Sequence, residues 1–293
     1  MGKLSYFKRS LFNRFSANKC PCCGSTEANI VDKKLLGLTT LLQCSGCYLR
    51  YRFPADSDHF SFQFYQDNYV QSGLTTDLPA KEQLAKLLQS NFTNTEKDFS
   101  GYSSILKSIS NYLNRNLVIL DYGANWGYTC HQFKQMEFVE AAYGYELSAP
   151  RRSYGEKNLN VAYTNEPELL KDSIDVLFSS HVIEHMSNPS LLKTCADIVL
   201  KSDGIILLTC PNGSDSARLK NPSWSKLWNE VHPNFISDQF LCKLFSDYDG
   251  TVESDSFLKA DGFNFEFQKG MSSKLPISAN LLLIAAKSPP NAQ

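Results

Sequence analysis

Residues 118–129, VILDYGANWGYT, constrain this chain more than any other stretch. An apolar run, Val118 to Leu120, ends in an acid, Asp121, and passes into a turn punctuated by Gly123 and Gly127. A buried strand, a glycine turn and then a segment able to start a helix can seat a nucleotide-like ligand across the carboxyl end of a parallel sheet. A dinucleotide needs G-x-G-x-x-G, so that backbone can approach a pyrophosphate. Counted from Gly123, the other two glycine positions hold Asn125 and Tyr128, so that spacing fails twice. Asp121 would also repel a pyrophosphate, whereas it favours a cationic group such as an amino-acid ammonium.

The chain around this turn alternates strand-like and helix-like segments, the pattern of a parallel α/β sheet. Strands are expected over residues 117–121, 142–146, 161–163, 175–180 and 204–210, and helices near 128–138, 150–158, 167–171, 189–200 and 237–247. The last two strand-like runs, 251–257 and 280–287, have no helix between them and should pair antiparallel. The expected fold is therefore α/β, a parallel sheet ending in an antiparallel hairpin. Residues 57–116 read as a helical connector or cap. Leu84, Leu87 and Leu88 form one helix face, and Tyr102, Ile105, Leu106, Ile109 and Leu113 another. Aromatic residues cluster at Phe60, Phe62, Phe64, Tyr65 and Tyr69.

Five of the nine cysteines fall between Cys20 and Cys47. Cys20, Cys23, Cys44 and Cys47 give C-x2-C-x20-C-x2-C, a spacing that four thiolates can close into a tetrahedral zinc site. Gly24 and Gly46 suit the tight turns of the two knuckles, and Cys22 is the spare thiol. Such a site has no open coordination position, so the zinc is expected to be structural. Cys130, Cys195, Cys210 and Cys242 are scattered through helix- and strand-like segments, as small buried thiols are. The distribution fits a reducing compartment better than a disulfide framework.

Glu146 ends the second strand about 25 residues after Asp121, where an acid can accept both hydroxyls of a ribose. Glycines at 123 and 127 clear room for a ligand, and the segment after them can offer backbone N–H groups to a carboxylate. Asn165 and Glu166, after the short third strand, are candidates for the neighbourhood of a base. After the fourth strand comes HVIEHMSNP, residues 181–189. In isolation it matches the H-x-x-E-H zinc-peptidase pattern, but that pattern belongs within a helix, not directly after a strand. Trp224, Trp228 and His232 follow in a long loop, which reads either as an acceptor-binding wall or as a hydrophobic lid.

Together these motifs resemble class I S-adenosylmethionine (SAM) methyltransferases, and in particular a bacterial group with an N-terminal zinc ribbon associated with glycan or sugar-nucleotide modification. The resemblance rests on CPCCG and CSGC, FYQDNY, LDYGANWGYT, GYELS, SSHVIEHMSNP, CPNG and VHPNF, and runs from Cys20 to about residue 287. It implies a Rossmann-like methyltransferase sheet with a small N-terminal ribbon and helical connector. The implied domains are a basic amphipathic segment 1–19, a zinc ribbon 20–56, the connector 57–116 and a catalytic domain 117–288. It places SAM on Asp121, Gly123, Asn125, Trp126, Gly127 and Glu146, and Zn2+ on Cys20, Cys23, Cys44 and Cys47. Asn125 departs from the wider superfamily, where many members have glycine. Methyl transfer to a sugar hydroxyl gains from a base near neutral pH, for which His181, His185 and His232 are the candidates.

Two other functions stay open on the sequence: a zinc-ribbon rRNA methyltransferase, and a non-catalytic SAM-fold scaffold that binds a partner. A net charge of -1 argues against a nucleic-acid partner, and the intact acid-and-glycine set argues against a scaffold. The acceptor is expected to be a small molecule or glycan, and the protein cytoplasmic. No run is long and apolar enough to span a membrane, and the N-terminus lacks the continuous apolar stretch of a secretory signal. Leu4, Phe7, Leu11 and Phe15 recur at helical spacing among Lys3, Lys8, Arg9, Arg14 and Lys19. A basic amphipathic helix of this kind can make a peripheral membrane contact or pack on its own protein.

Overall fold

The computed structural model describes residues 3–15, 17–56, 60, 77–256 and 267–287. The FYQDNY motif, and with it most of the expected aromatic cluster of the connector, lies outside the described residues. Among these residues no helix is long and apolar enough to cross a membrane.

An eight-stranded sheet forms the centre. In chain order its strands are β4 (Leu117–Tyr122), β5 (Val139–Tyr145), β6 (Ala162–Tyr163), β7 (Ile174–Ser180), β8 (Leu200–Pro211), β10 (Tyr248–Ser254), β11 (Met271–Ser273) and β12 (Asn280–Lys287). Across the sheet the order is β11-β10-β12-β8-β7-β4-β5-β6. Strands β8, β7, β4, β5 and β6 run parallel, while β12 is antiparallel to both β8 and β10. The antiparallel hairpin expected at the end is present. It carries a short extra strand, β11, paired parallel to β10.

Strand periodicity explains the layering. Leu120, Leu177, Ile206, Leu208, Leu281 and Leu283 face one apolar layer. Their neighbours Ile119, Val176, Phe178, Ile205, Leu207, Leu282 and Ile284 face the other. Successive side chains of a strand point to opposite faces, so strands covered on both sides read as continuous apolar runs. On the second face, α2 (Lys81–Gln89) and α3 (Ser103–Leu113) bury Leu84, Ile105, Leu106 and Ile109. On the first face, α6 (Ser190–Val199) and α9 (Asp238–Leu244) bury Leu192, Ala196, Phe240 and Leu241. Two helices follow the strands nearest the glycine turn: α4 (Tyr128–Phe133) after β4 and α5 (Ala149–Leu159) after β5. The first of them stops well short of the expected residue 138.

The N-terminal region carries α1 (Lys3–Asn13) and a second sheet of β1 (Ala28–Lys34), β2 (Thr39–Cys44), β3 (Arg50–Phe53) and β9 (Asn234–Phe235), in that order and antiparallel throughout. Its last strand comes from the long loop after β8, so the small sheet is completed by the large domain. The loop's short helices, α7 (Asp215–Arg218) and α8 (Trp224–Leu227), reinforce the join. The tryptophans that suggested an acceptor wall are buried here instead. Trp224 and Trp228 pack with Leu41, Ala217 and Phe235, and Trp228 Nε1 donates to Asp32 Oδ2 at 2.9 Å. Their large apolar surfaces stabilise this joint because both faces lose water.

Candidate functional site

The four cysteines of the ribbon converge. Cys20 Sγ lies 3.5 Å from Cys47 Sγ, and Cys23 Sγ lies 3.4 Å from Cys44 Sγ. All four sulfurs fall within 4.8 Å of one another. Four thiolates around an ion with bonds of about 2.3 Å need separations near these, so the set fits a tetrahedral zinc ion. The first knuckle turns through Gly24 at φ +74°, with Gly24 N–H donating to Cys20 O at 2.9 Å. The second takes its left-handed residue at Tyr48, φ +64°, so the turn does not depend on Gly46 as the sequence suggested. Cys22 lies outside the set of four.

At the carboxyl end of β4 the glycine turn is strongly constrained. Gly123 and Gly127 have φ of +89° and +81°. A Cβ at Gly123 would fall 2.3 Å from Val182 Cγ2, and one at Gly127 would fall 2.7 Å from the Tyr163 hydroxyl. Both positions therefore demand glycine twice over, for conformation and for space. Gly123 N–H and Ala124 N–H donate to Tyr145 O, which clamps the turn to β5. Asn125 also takes a left-handed φ, +53°. Its side-chain oxygen accepts from Trp126 N–H and from the buried guanidinium of Arg151. That is the physical reason for the departure from glycine: asparagine tolerates this conformation and ties the turn to α5.

Glu146 is buried, and its carboxylate accepts from Asn125 N–H at 3.0 Å and Ser148 N–H at 2.8 Å. A carboxylate has about four acceptor positions, so two are left for hydroxyls. Burial pushes its pKa up, opposed by these donors and by Arg151. Asp121 is 3% exposed and has a very different environment. Burial, and then the charge of Glu146, pushes its carboxyl up to about 8. Cys130 Sγ at 3.9 Å is a weak partner, and Asp121 has no cation partner among the described residues. Asp175 is a useful contrast, since this buried acid on β7 is held by Arg115 and Lys201. An ammonium at Asp121 would supply what Asp175 already has. Trp126 differs from expectation: its ring is fully buried against Phe92, Tyr128 and Tyr154, leaving only its backbone to face a ligand. Asn165 and Glu166 lie on the exposed turn after β6.

The HVIEH loop leaves the end of β7 in contact with this turn, through Val182 against Gly123. His181 has a left-handed φ of +56°, and its N–H donates to Thr209 O at 2.9 Å. Its Nδ1 lies 3.4 Å from Glu184 Oε1. Partial desolvation lowers its pKa, but Glu184 prevails and raises it. Burial works against the Glu184 carboxylate, yet the surrounding histidines keep its pKa low. Burial holds His185 below its usual value. His185 and His232 meet edge to face, with ring centroids 4.6 Å apart. The structure thus brings His185 and His232 together, and both His181 and His185 approach the same oxygen of Glu184. The sequence motif contained Glu184, but its burial beneath three histidines could not be read there.

An open pocket of about 70 Å3 lies beside His185, lined by Tyr51, Arg52, Asp56, Phe60, Glu230 and Asn234 among others. One wall is ribbon and the other is the loop after β8. Arg9 of α1 closes one side through ion pairs to Asp56 (2.5 Å) and Glu230 (2.9 Å).

No curated protein sequence matches the chain significantly. The model of the family described as "Methyltransferase domain" matches residues 95–254, more than half of the chain. Among solved structures, the plantazolicin methyltransferase BpumL in complex with SAH is similar at a TM-score of 0.50 and 15% identity, over 78% of this chain and 95% of that one. A Haloferax volcanii complex between the Trm112 methyltransferase activator and a candidate methyltransferase follows at 0.48 and 11%, over 71% and 99%. A SAM-dependent methyltransferase from Mesorhizobium loti is similar at 0.44 and 15%, over 65% and 99%. At such identities these structures speak to fold alone. With the family match over the sheet, the glycine turn and the HVIEH loop, the chain belongs to the methyltransferase-domain family and is a SAM-dependent methyltransferase of Rossmann-like fold.

Proposed function

We propose that this enzyme methylates a hydroxyl of a sugar- or glycan-type acceptor, with His181 as the base. The observation that carries this reading is the contact between the glycine turn and the HVIEH loop, Gly123 against Val182. It supports a base at the neighbouring His181, whose Nδ1 lies 3.4 Å from the Glu184 carboxylate. When bound, SAM supplies an electrophilic methyl group on a sulfonium. In this reading Asp121 takes the ammonium of its methionine half and Glu146 the ribose hydroxyls. Gly123, Asn125, Trp126 and Gly127 supply backbone, and their fixed geometry aligns donor with acceptor. His181 takes the hydroxyl proton, with the charge of Glu184, 3.4 Å from its Nδ1, favouring the imidazolium that forms. The pocket beside His185 is lined by Arg52, Asp56, Glu230 and Asn234, polar groups that can bond the hydroxyls of a sugar.

The remaining assignments follow the same division of labour. Residues 20–56 form a ribbon closed by a structural zinc on Cys20, Cys23, Cys44 and Cys47. Residues 57–116 form the connector and 117–288 the catalytic domain. Nine free thiols suit a cytoplasmic enzyme. Residues 1–19 give a peripheral membrane contact, supported by Phe12 and Phe15, which are 79% and 91% exposed. Sedimentation with anionic vesicles tests that contact, and loss of binding in a chain lacking residues 1–15 is expected. For the activity itself, radiolabelled methyl transfer to a panel of sugar nucleotides and glycans is the test. Incorporation into ribosomal RNA with none into sugars would overturn the acceptor assignment.

A further inference from the structure

Glu184, His185 and His232 each bring one ligand atom within 4.8 Å of the others. Glu184 is 1% exposed, and neither of its oxygens accepts a hydrogen bond. The nearest ring nitrogens to Oε1 are His181 Nδ1 at 3.4 Å and His185 Nε2 at 3.9 Å. A carboxylate taken out of water in this way is costly unless a cation faces it.

The two imidazoles are held as though to receive that cation rather than to be it. His185 Nδ1 lies 2.6 Å from Val231 O, and His232 Nδ1 lies 2.8 Å from Leu227 O. A carbonyl oxygen can only accept, so each ring carries its proton on Nδ1 and, when neutral, has its lone pair on Nε2. Metal-binding histidines are oriented in this manner: one nitrogen donates to a backbone carbonyl, which fixes the tautomer and aims the other at the ion. Bonds of about 2.1 Å to one ion allow its nitrogen and oxygen ligands to lie up to about 4.2 Å apart. The 3.9 Å between His185 Nε2 and Glu184 Oε1 is within that reach.

We propose that Glu184, His185 and His232 form a divalent transition-metal site, distinct from the four-cysteine ribbon. Two imidazoles and one carboxylate suit a first-row ion such as Mn2+, Fe2+ or Zn2+ and leave coordination positions open. His185 also lines the pocket between ribbon and catalytic domain. An ion at this place would orient a hydroxyl in that pocket and lower its pKa. His185 and His232 then hold the ion, and proton transfer falls to His181. The role of the ion rests on the hydroxyl-acceptor reading above, but its binding does not.

The test uses the full chain with its zinc, titrated with Mn2+ without SAM or acceptor and followed by electron paramagnetic resonance of the free ion. Mn2+ prefers oxygen and nitrogen donors to thiolates, so the ribbon does not compete. One Mn2+ per chain is expected, with affinity at least about tenfold weaker in Glu184→Gln and in His232→Ala. Zinc content and thermal melting verify that each variant is folded, and the isosteric Glu184→Gln is the safer of the two. Failure of the wild type to bind Mn2+ at millimolar concentration, or unchanged affinity in folded variants, overturns the site. S-adenosylhomocysteine binding on the same samples separates the two readings: wild type that binds it but not Mn2+ loses the metal site and keeps the donor site.

Discussion

The buried carboxyl at the end of β4 should make cofactor binding expel a proton. With its pKa pushed up to about 8 by burial and by Glu146, Asp121 is protonated in about nine of ten ligand-free molecules at pH 7. An amino-acid ammonium beside it favours the carboxylate, so binding releases about 0.9 of a proton at pH 7. Ionising it there costs about 1.4 kcal/mol, roughly a tenfold weakening of affinity relative to the fully ionised site well above pH 8 and about fivefold relative to pH 8 itself. Affinity should therefore rise tenfold per unit between pH 6 and pH 7 and level off above 8. Folding stability of the ligand-free protein runs the other way. The folded state keeps a proton that the unfolded chain gives up above the ordinary aspartate value of 3.8. That contribution is complete at lower pH and is lost as pH climbs towards 8. The assay is calorimetry of S-adenosylhomocysteine at pH 7 in phosphate and in Tris, which differ in ionisation enthalpy. The two observed enthalpies should differ by the proton released, and Asp121→Asn should remove the difference. Identical enthalpies for the wild type would refute the reasoning.

Four further outcomes follow from the geometry. Gly123→Ala adds a Cβ 2.3 Å from Val182 Cγ2 at φ +89°. It should abolish detectable S-adenosylhomocysteine binding, and adding Val182→Ala should relieve the clash but leave about 1–2 kcal/mol of backbone strain, read by chemical denaturation. His181→Ala should lower kcat by roughly 10²–10⁴-fold while leaving S-adenosylhomocysteine affinity within a factor of about two by calorimetry. Trp228→Ala opens a cavity in the joint and removes one of the donors to Asp32, so a loss of about 3–5 kcal/mol is expected in urea unfolding. Cys44→Ser should remove one zinc ion per chain, the ribbon's, by mass spectrometry, with early proteolysis in residues 20–56 where folding depends on metal.

The catalytic sheet was legible because its strands are buried on both faces, so Val118 to Leu120 and Val176 to Phe178 announce themselves as apolar runs. The cysteine set was legible because metal-ligand spacing is local. What escaped depended on contacts between distant segments. Strand β9 has only two residues, Asn234 and Phe235, too short for any alternation, and it exists because β3 offers an edge. Trp224 and Trp228 looked like a binding wall because large aromatics in a loop carry no mark of what covers them, which here is Leu41 of the ribbon. Likewise the role of Asn125 became readable only with Arg151, 26 residues away, delivered by α5. Glu184 stood in plain view within HVIEH, but burial is what turns a carboxylate into a candidate ligand.

The pairing of β3 with β9 has a consequence for how the polypeptide is made. Arg50 and Tyr51 leave the ribosome well before Asn234 and Phe235, their partners. At roughly 5–20 residues per second, the roughly 185 residues between them take about 10–40 s to synthesise. During that interval β3 lacks the strand that covers its outer edge, and an open edge is a template for pairing with other chains. With zinc on the four cysteines as proposed, the metal would hold the nascent edge in shape until its own strand arrives, so metal starvation should appear first as aggregation of new chains rather than as inactivation of old ones.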